Sequence, residues 1–446
     1  IGTAHAAIET YTTANGTNSI TLSAVGQSVT GGTGNDTVSV AGLTATGTLA
    51  LSTGTDVLIA TDGADISGIN SGAVTTAETL NISTAAAIGI TMTEAQYDAF
   101  VTGTITADSD NDTITIAAGD IVSIATDTGI GAYVIGEDSS DALTVTVGAT
   151  DNVNITSAST TDVITAQVAG TYTGTIDVGN VAGDTLSLTA TADISGATID
   201  TDMDFLTIAS GATATMTAAQ NEAFTGTITG DGTETIAIKA GTYTTVTTNT
   251  AIDAYTLGEE VGNAVTVVVG ATDNVNITSA STTDVITAQV AGTYTGTIDV
   301  GNVAGDTLSL TATADISGAT IDTDMDSLTI ANDATVTMTG TQYAAFSETI
   351  TAGGTGEGIT LSTNTVAIGT AHAAIETYTT ANGTNSITLS AVGQSVTGGT
   401  GNDTVSVAGL TATGTLALST GTDVLIATDG ADISGINSGA VTTTET

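Results

Sequence analysis

The sequence predicts an all-β fold, a repetitive parallel β-solenoid with one short helix in each unit of about 122 residues. Two exact repeats and a recurring short segment predict it. Residues Ile1–Thr76 recur unchanged as Ile368–Thr443, an offset of 367 residues, and Val147–Asp204 recur as Val269–Asp326, an offset of 122. Ala-Asp-Ile-Ser-Gly marks every unit, with its Asp at Asp65, Asp193, Asp315 and Asp432. Units fall at 1–132, 133–254 and 255–367, and 368–446 opens the next copy of the first. The chain reads as a window of a longer periodic polypeptide.

Short alternating segments fill each unit. Ile20–Ser23, Thr37–Val40, Thr48–Leu51, Thr113–Ile116 and Leu143–Val147 place Val, Ile or Leu on one face and mainly Thr or Ser on the other. That is the pattern of a half-buried strand, and the Gly, Asn, Asp and Ser between them supply turns. About eleven or twelve such strands fit one unit of 122 residues. Tandem β-sandwich domains are the alternative. The absence of Pro, the scarce aromatics and the unequal unit lengths favour the solenoid, because a coil absorbs insertions at its turns.

One helix interrupts each unit. Thr91–Phe100, Thr215–Phe224 and Thr337–Phe346 carry Thr93 with Gln96, Thr217 with Gln220 and Thr339 with Gln342. Thr followed three residues later by Gln is a capping box. Phe100, Phe224 and Phe346 sit where a helix of about two turns tucks its end into a core, as a local cover over a core or sheet edge.

Charge excludes whole classes of partner. The chain holds 47 acidic residues against a single Lys or Arg, Lys239, for a net charge of −46. Nucleic acid and anionic membrane are excluded, since phosphate is held by Lys and Arg. No apolar run reaches the length of a membrane span. Without Cys there is no disulfide framework.

The candidate chemistry is therefore carboxylate chemistry. Gly31–Ser39 fits the nonapeptide Gly-Gly-x-Gly-x-Asp-x-U-x at each specified position and recurs as Gly398–Ser406, so Asp36 and Asp403 are candidate Ca²⁺ ligands on tight glycine turns. A plain Gly-Asn-Asp turn is the other reading. Asp108, Asp110 and Asp112 alternate, as do Asp200, Asp202 and Asp204 and their copies Asp322, Asp324 and Asp326. Alternating carboxylates on one face repel unless a cation or solvent screens them. A solvated acidic surface explains any one cluster; the charge of the whole chain points to Ca²⁺ at millimolar concentration, as in weak extracellular sites. Enzyme chemistry is not expected. His5 and His372 are one position in two copies, Lys239 reads as a solvated strand residue, and no nucleophile elbow, phosphate loop or zinc spacing occurs.

The Gly-Gly-Thr-Gly-Asn-Asp turn, the Thr-rich short strands and the helices of the form Met-Thr-x-x-Gln-x-x-Ala-Phe together resemble giant repetitive RTX-type and S-layer-like bacterial surface proteins. The resemblance implies export to the cell surface and a role as adhesin, sheath, matrix or filament. Three functions follow as expectations: a long acidic filament rigidified by Ca²⁺, the stalk of a giant adhesin, and ice binding through Thr-x-Thr pairs such as Thr113 with Thr115 and Thr144 with Thr146. Self-association, or binding to cell-surface polysaccharide, is the expected partnership.

Overall fold

Period-two strands give each segment one apolar face, and the chain stacks those faces coil upon coil. A computed structural model describes residues 1–69, 77–82, 87–101, 104–107, 111–137, 142–157, 159–224, 226–279, 281–346, 349–364, 367–428 and 430–437. It divides into two units, one of Ile1–Met216 with Thr227–Gly230, the other of Thr217–Gly226 with Asp231–Thr446. Each unit is a parallel β-solenoid.

In the first unit the strands Ser19–Leu22, Thr37–Val40, Val57–Ala60, Thr79–Asn81 and Thr104–Thr106 form consecutive rungs of one sheet. Ile20 lies opposite Val38, Val38 opposite Leu58, Leu58 opposite Leu80 and Leu80 opposite Ile105. The coil step along this column lengthens from 18 to 25 residues, yet the inward position is apolar at every rung. Extra residues leave through the turns, as the sequence reading expects. A second column runs through Gly89–Met92, Thr113–Ile116, Ala132–Ile135 and Asn154–Ser157, with Ile90, Ile114, Tyr133 and Ile155 stacked inside. In the second unit Val246, Val267, Ala288, Leu308, Leu328 and Ile350 make the same kind of stack. Pairing is parallel throughout the described residues, whereas a β-sandwich needs antiparallel strands, so the bead alternative is set aside.

The segment after Asp193 and up to Asp315 carries twelve strands and one helix, the density read from the sequence. Strand bounds agree to within a residue or so: Thr37–Val40 and Thr113–Ile116 fall as expected, Ile20–Ser23 starts one residue earlier, and Thr48–Leu51 shortens to Leu49–Ala50. The helices are Glu94–Val101, Ala218–Phe224 and Gly340–Phe346. Their capping boxes form: Thr93 N–H donates to Gln96 Oε1 at 2.9 Å and Gln96 N–H to Thr93 Oγ1 at 3.3 Å. The same exchange joins Thr217 to Gln220 and Thr339 to Gln342. Phe100, Phe224 and Phe346 are buried.

Each helix stands where a strand column starts anew. The strand Ser123–Ala125 is the first of its sheet, and Glu94 Oε1 accepts the N–H groups of Val122 and Ser123 at 2.8 and 2.7 Å. A carboxylate thus takes the place of a neighbouring strand's carbonyl. Thr247 N–H finds the same partner in Glu222. Inside the first helix, Tyr97 meets Tyr133 edge to face, with hydroxyls 2.8 Å apart. Tyr343 and Tyr378 repeat the pair. The middle copy has Asn221, whose shorter amide reaches Thr247 O at 3.0 Å, and Tyr255 there has no tyrosine beside it.

Two stability outcomes follow. Leu58→Ala removes a fully buried rung and is expected to destabilise by about 2–5 kcal/mol, read as a lower midpoint in urea unfolding. Asn221→Tyr restores the ring pair and is expected to stabilise by about 0.5–1.5 kcal/mol; an unchanged or lowered midpoint in the same experiment rejects that account.

Candidate functional site

A coil that turns into a strand leaves its neighbour's backbone N–H groups pointing inward without a strand carbonyl to meet them. The chain answers with an acid at the residue immediately before the strand. Asp36, Asp56, Asp112, Asp162, Asp184, Glu234, Asp284, Asp306, Glu357, Asp403 and Asp423 all hold that position and all are buried. Many of their carboxylates reach back one coil. Asp36 Oδ1 accepts Asn18 N–H at 3.0 Å, Asp56 Oδ1 accepts Asp36 N–H at 2.7 Å, and Glu78 Oε2 accepts Asp56 N–H at 2.6 Å. Asp112 takes Ile88 N–H, Asp184 takes Ile164 N–H and Asp306 takes Ile286 N–H, at 3.0, 2.7 and 2.6 Å. The second copy repeats the ladder through Asp403 with Asn385 and Asp423 with Asp403. Hydrogen bonds to ionised acceptors are the strong kind.

The ladder also leaves oxygens over. Asp56 Oδ2, Asp184 Oδ2, Asp306 Oδ2, Asp403 Oδ2 and Asp423 Oδ2 are buried without a hydrogen-bond donor in place among the described residues. Burial pushes the carboxyls of Asp56, Asp184, Asp306 and Asp403 above the usual aspartate range, against the lowering effect of their hydrogen bonds. Glu260 goes the other way, because the backbone N–H of Gly262 holds it low.

The candidate metal ligands spread over three kinds of place. Asp36 and Asp403 belong to the buried ladder, each also accepting the side-chain amide of an asparagine, Asn18 or Asn385, at 2.8 and 2.7 Å. The glycines of their turn answer to close stacking: Gly34 has φ +125°, and a Cβ there would meet Gly16 Cα at 2.9 Å. Beside that column Asn15 Oδ1 accepts Thr33 N–H and Asn35 Oδ1 accepts Thr55 N–H, both at 3.0 Å. Asp108 and Asp110 lie outside the described residues, and Asp112 is a ladder residue.

Asp200, Asp202 and Asp204 occupy the turn between Thr198–Ile199 and Phe205–Ile208. Their carboxylates part company there. Asp202 Oδ1 accepts Asn180 Nδ2 at 2.9 Å and Asp204 Oδ2 accepts Gly183 N–H at 2.6 Å. Asp200 instead meets Asp177 on the adjacent coil, and burial first, then Asp200, raises the Asp177 carboxyl. Asp322, Asp324 and Asp326 repeat the arrangement with Asp299, Asn302 and Gly305. Among the described residues no three His, Asp or Glu side chains converge in a geometry that holds a metal ion.

Other expectations meet plain outcomes. Lys239 is exposed just past the strand Thr235–Ile238 rather than within it. His372 is held below the usual histidine range by burial, and its Nδ1 accepts Ala374 N–H. The pairs Thr113 with Thr115 and Thr144 with Thr146 face outward in columns broken by Ala132, Val134 and Gln167. A more regular face was not read from the sequence: Thr335 with Thr337, Gly358 with Thr360, Thr377 with Thr379 and Ser395 with Thr397 lie in register on four successive rungs. Sequence reading also missed the acid ladder, although its signal is plain in Asp36-Thr-Val-Ser-Val40, Asp184-Thr-Leu-Ser-Leu188 and Glu234-Thr-Ile-Ala-Ile238. Comparison with known proteins finds no family model, no curated protein and no solved structure that matches this chain.

The raised carboxyls set a sign for the pH response. Their folded pKa values exceed the unfolded one, so the folded chain binds more protons between those values. Their contribution is fully present below the unfolded carboxylate value and is lost as pH rises through the folded one. Thermal unfolding followed from neutral pH down toward pH ~4 is expected to show a rising midpoint across the carboxylate range. Asp184→Asn with Asp306→Asn is expected to flatten that slope; a midpoint that falls on mild acidification contradicts the assignment.

Proposed function

We propose that this chain is a structural repeat protein of the bacterial cell exterior, an acidic filament or surface-layer element that associates with further copies of itself and is rigidified by Ca²⁺. The duplication of the candidate sites at Asp36 and at Asp200, Asp202 and Asp204 carries the reading. Asp36 and Asp403 keep the same asparagine partner, Gln27 and Gln394 bond the same backbone groups, and Asp184 and Asp306 cap the same isoleucine. A reaction centre needs one constellation; a scaffold needs length.

Calcium enters through the pairs Asp177 with Asp200 and Asp299 with Asp322, where carboxylates on adjacent coils press together. Two carboxylates completed by water suit a weak, millimolar site. The net charge of −46 gives such ions a general stabilising role as well.

A second reading, ice binding, draws on the column Thr337, Thr360, Thr379 and Thr397, where hydroxyl and methyl groups repeat at the ~4.8 Å rung spacing. Thermal hysteresis in a solution of the chain is its signature.

Electron microscopy with and without millimolar Ca²⁺ tests the main reading. Ordered filaments or lattices are expected with the ion, with looser or fewer assemblies in chelator. Dispersed particles under both conditions reject it.

A further inference from the structure

We propose that the Glu376 carboxyl holds a proton that it donates to the buried carboxylate of Glu357, and that this hydrogen bond fastens two adjacent coils of the second unit. The inference does not depend on filament formation. Gly358 lies opposite Thr377 and Ile359 opposite Tyr378, so the acids just before these strands face each other across one coil step. The backbone there is fully engaged: Glu357 N–H donates to Glu376 Oε2 at 3.0 Å, and Glu357 O accepts the N–H groups of Glu376 and Thr377 at 3.2 Å. Glu357 is completely buried, and no donor among the described residues reaches either of its carboxylate oxygens.

The two carboxyl groups stand within hydrogen-bonding reach of each other. Two ionised carboxylates in that setting repel, with Glu357 wholly out of water and Glu376 half-buried. One proton removes the conflict, because the O–H of one acid then donates to the carboxylate of the other. Burial first, then the contact with Glu357, raises the Glu376 carboxyl.

The surrounding groups favour holding that proton. On the preceding coil Asp333 is adjacent to the turn, its Oδ1 2.5 Å from where a Cβ on Gly356 would stand, and it adds negative charge. On the turn leading to Glu376, burial lowers the His372 imidazole below the usual histidine range, which disfavours a positive charge there. The chain's one basic side chain is Lys239, exposed at the end of another strand. A divalent cation would need about six to eight oxygen ligands; Glu357 is completely buried, away from the water that would complete such a set, and among the described residues no group of three acids able to hold a metal ion forms there.

The proton therefore acts as a latch. Its contribution is present while Glu376 keeps the proton and is lost as pH rises through the raised Glu376 titration. Glu9, the sequence counterpart of Glu376 in the first copy, is exposed and provides an internal reference.

Side-chain ¹³C titration of glutamate carboxyls in the whole chain tests this, with amide hydrogen exchange at Glu357, Glu376 and Thr377 corrected for base catalysis. In the unaltered chain one glutamate carboxyl is expected to titrate above the ordinary range. Exchange at the three amides is expected to accelerate above that pH. In Glu357→Gln the raised titration is expected to move down toward the ordinary range, with the share due to burial left, and the acceleration to move down with it. Three results overturn the proposal: no raised carboxyl, a raised carboxyl left unmoved by Glu357→Gln, or a titration displaced downward by millimolar Ca²⁺, which would mean that the pair holds a cation. If Glu357→Gln fails to fold, Glu376→Gln and the titration of the unaltered chain decide the matter.

Discussion

One backbone laid on another at ~4.8 Å spacing is the constraint from which the rest of this structure follows. It makes every inward position answerable to the position one coil away. Ile20, Val38, Leu58 and Leu80 are all apolar because each is the ceiling or floor of the next. At the corners the same spacing excludes side chains, and Gly54 is confined by the carbonyl of Gly34 as Gly34 is by Gly16. Where a polar side chain does enter, it must be fully answered. Gln27 shows the solution: its Oε1 accepts Ser23 and Ala24 N–H, and its Nε2 donates to His5 O and Ile8 O.

The buried acids are the same constraint met with charge. A backbone N–H left inward at the mouth of a coil costs about 1–3 kcal/mol if unpaired, so an acceptor is required at every such mouth. A carboxylate one coil on is the acceptor the chain uses, and its shortness as Asp keeps the strand start close to the axis. The cost is desolvation, which the raised carboxyls of Asp56, Asp184, Asp306 and Asp403 record. A fold built on such a ladder is linked to protons through its interior. The acids inside are there for backbone geometry, while those at Asp177 with Asp200 lie within reach of solvent ions.

Period, strand class and helix position were all legible because each is a local pattern. Alternation needs only neighbours in sequence, and the Thr-x-x-Gln capping box closes within one turn. What escaped was the placement of Asp and Glu. The nonapeptide at Gly31–Ser39 drew the reading toward an ion, but its Asp36 is the same strand-start acid as Asp56 or Asp184, in stretches without that glycine pattern. The alternating run Asp200, Asp202 and Asp204 suggested one charged face, and the turn instead sends the three carboxylates to Asp177, Asn180 and Gly183. The Thr335–Thr397 face was hidden for a related reason: its rungs are unevenly spaced in sequence, and only the turns bring them into register.

The repeated 76-residue segment separates what a sequence specifies from what its neighbour supplies. Gln27 and Gln394, like Asp36 and Asp403, keep their bonds in both copies, so these belong to the segment. Ile8 is 47% exposed while its counterpart Ile375 is fully buried. Tyr11 and Tyr378 differ in the same way, since Tyr378 packs on Tyr343 of the preceding coil. Identical residues thus reach different burial according to the coil beside them. A coil of this chain is half a core, and its stability is a property of contact between coils rather than of any coil alone. Duplication of such a segment costs the fold nothing new: each added copy brings one apolar face to cover and one to be covered.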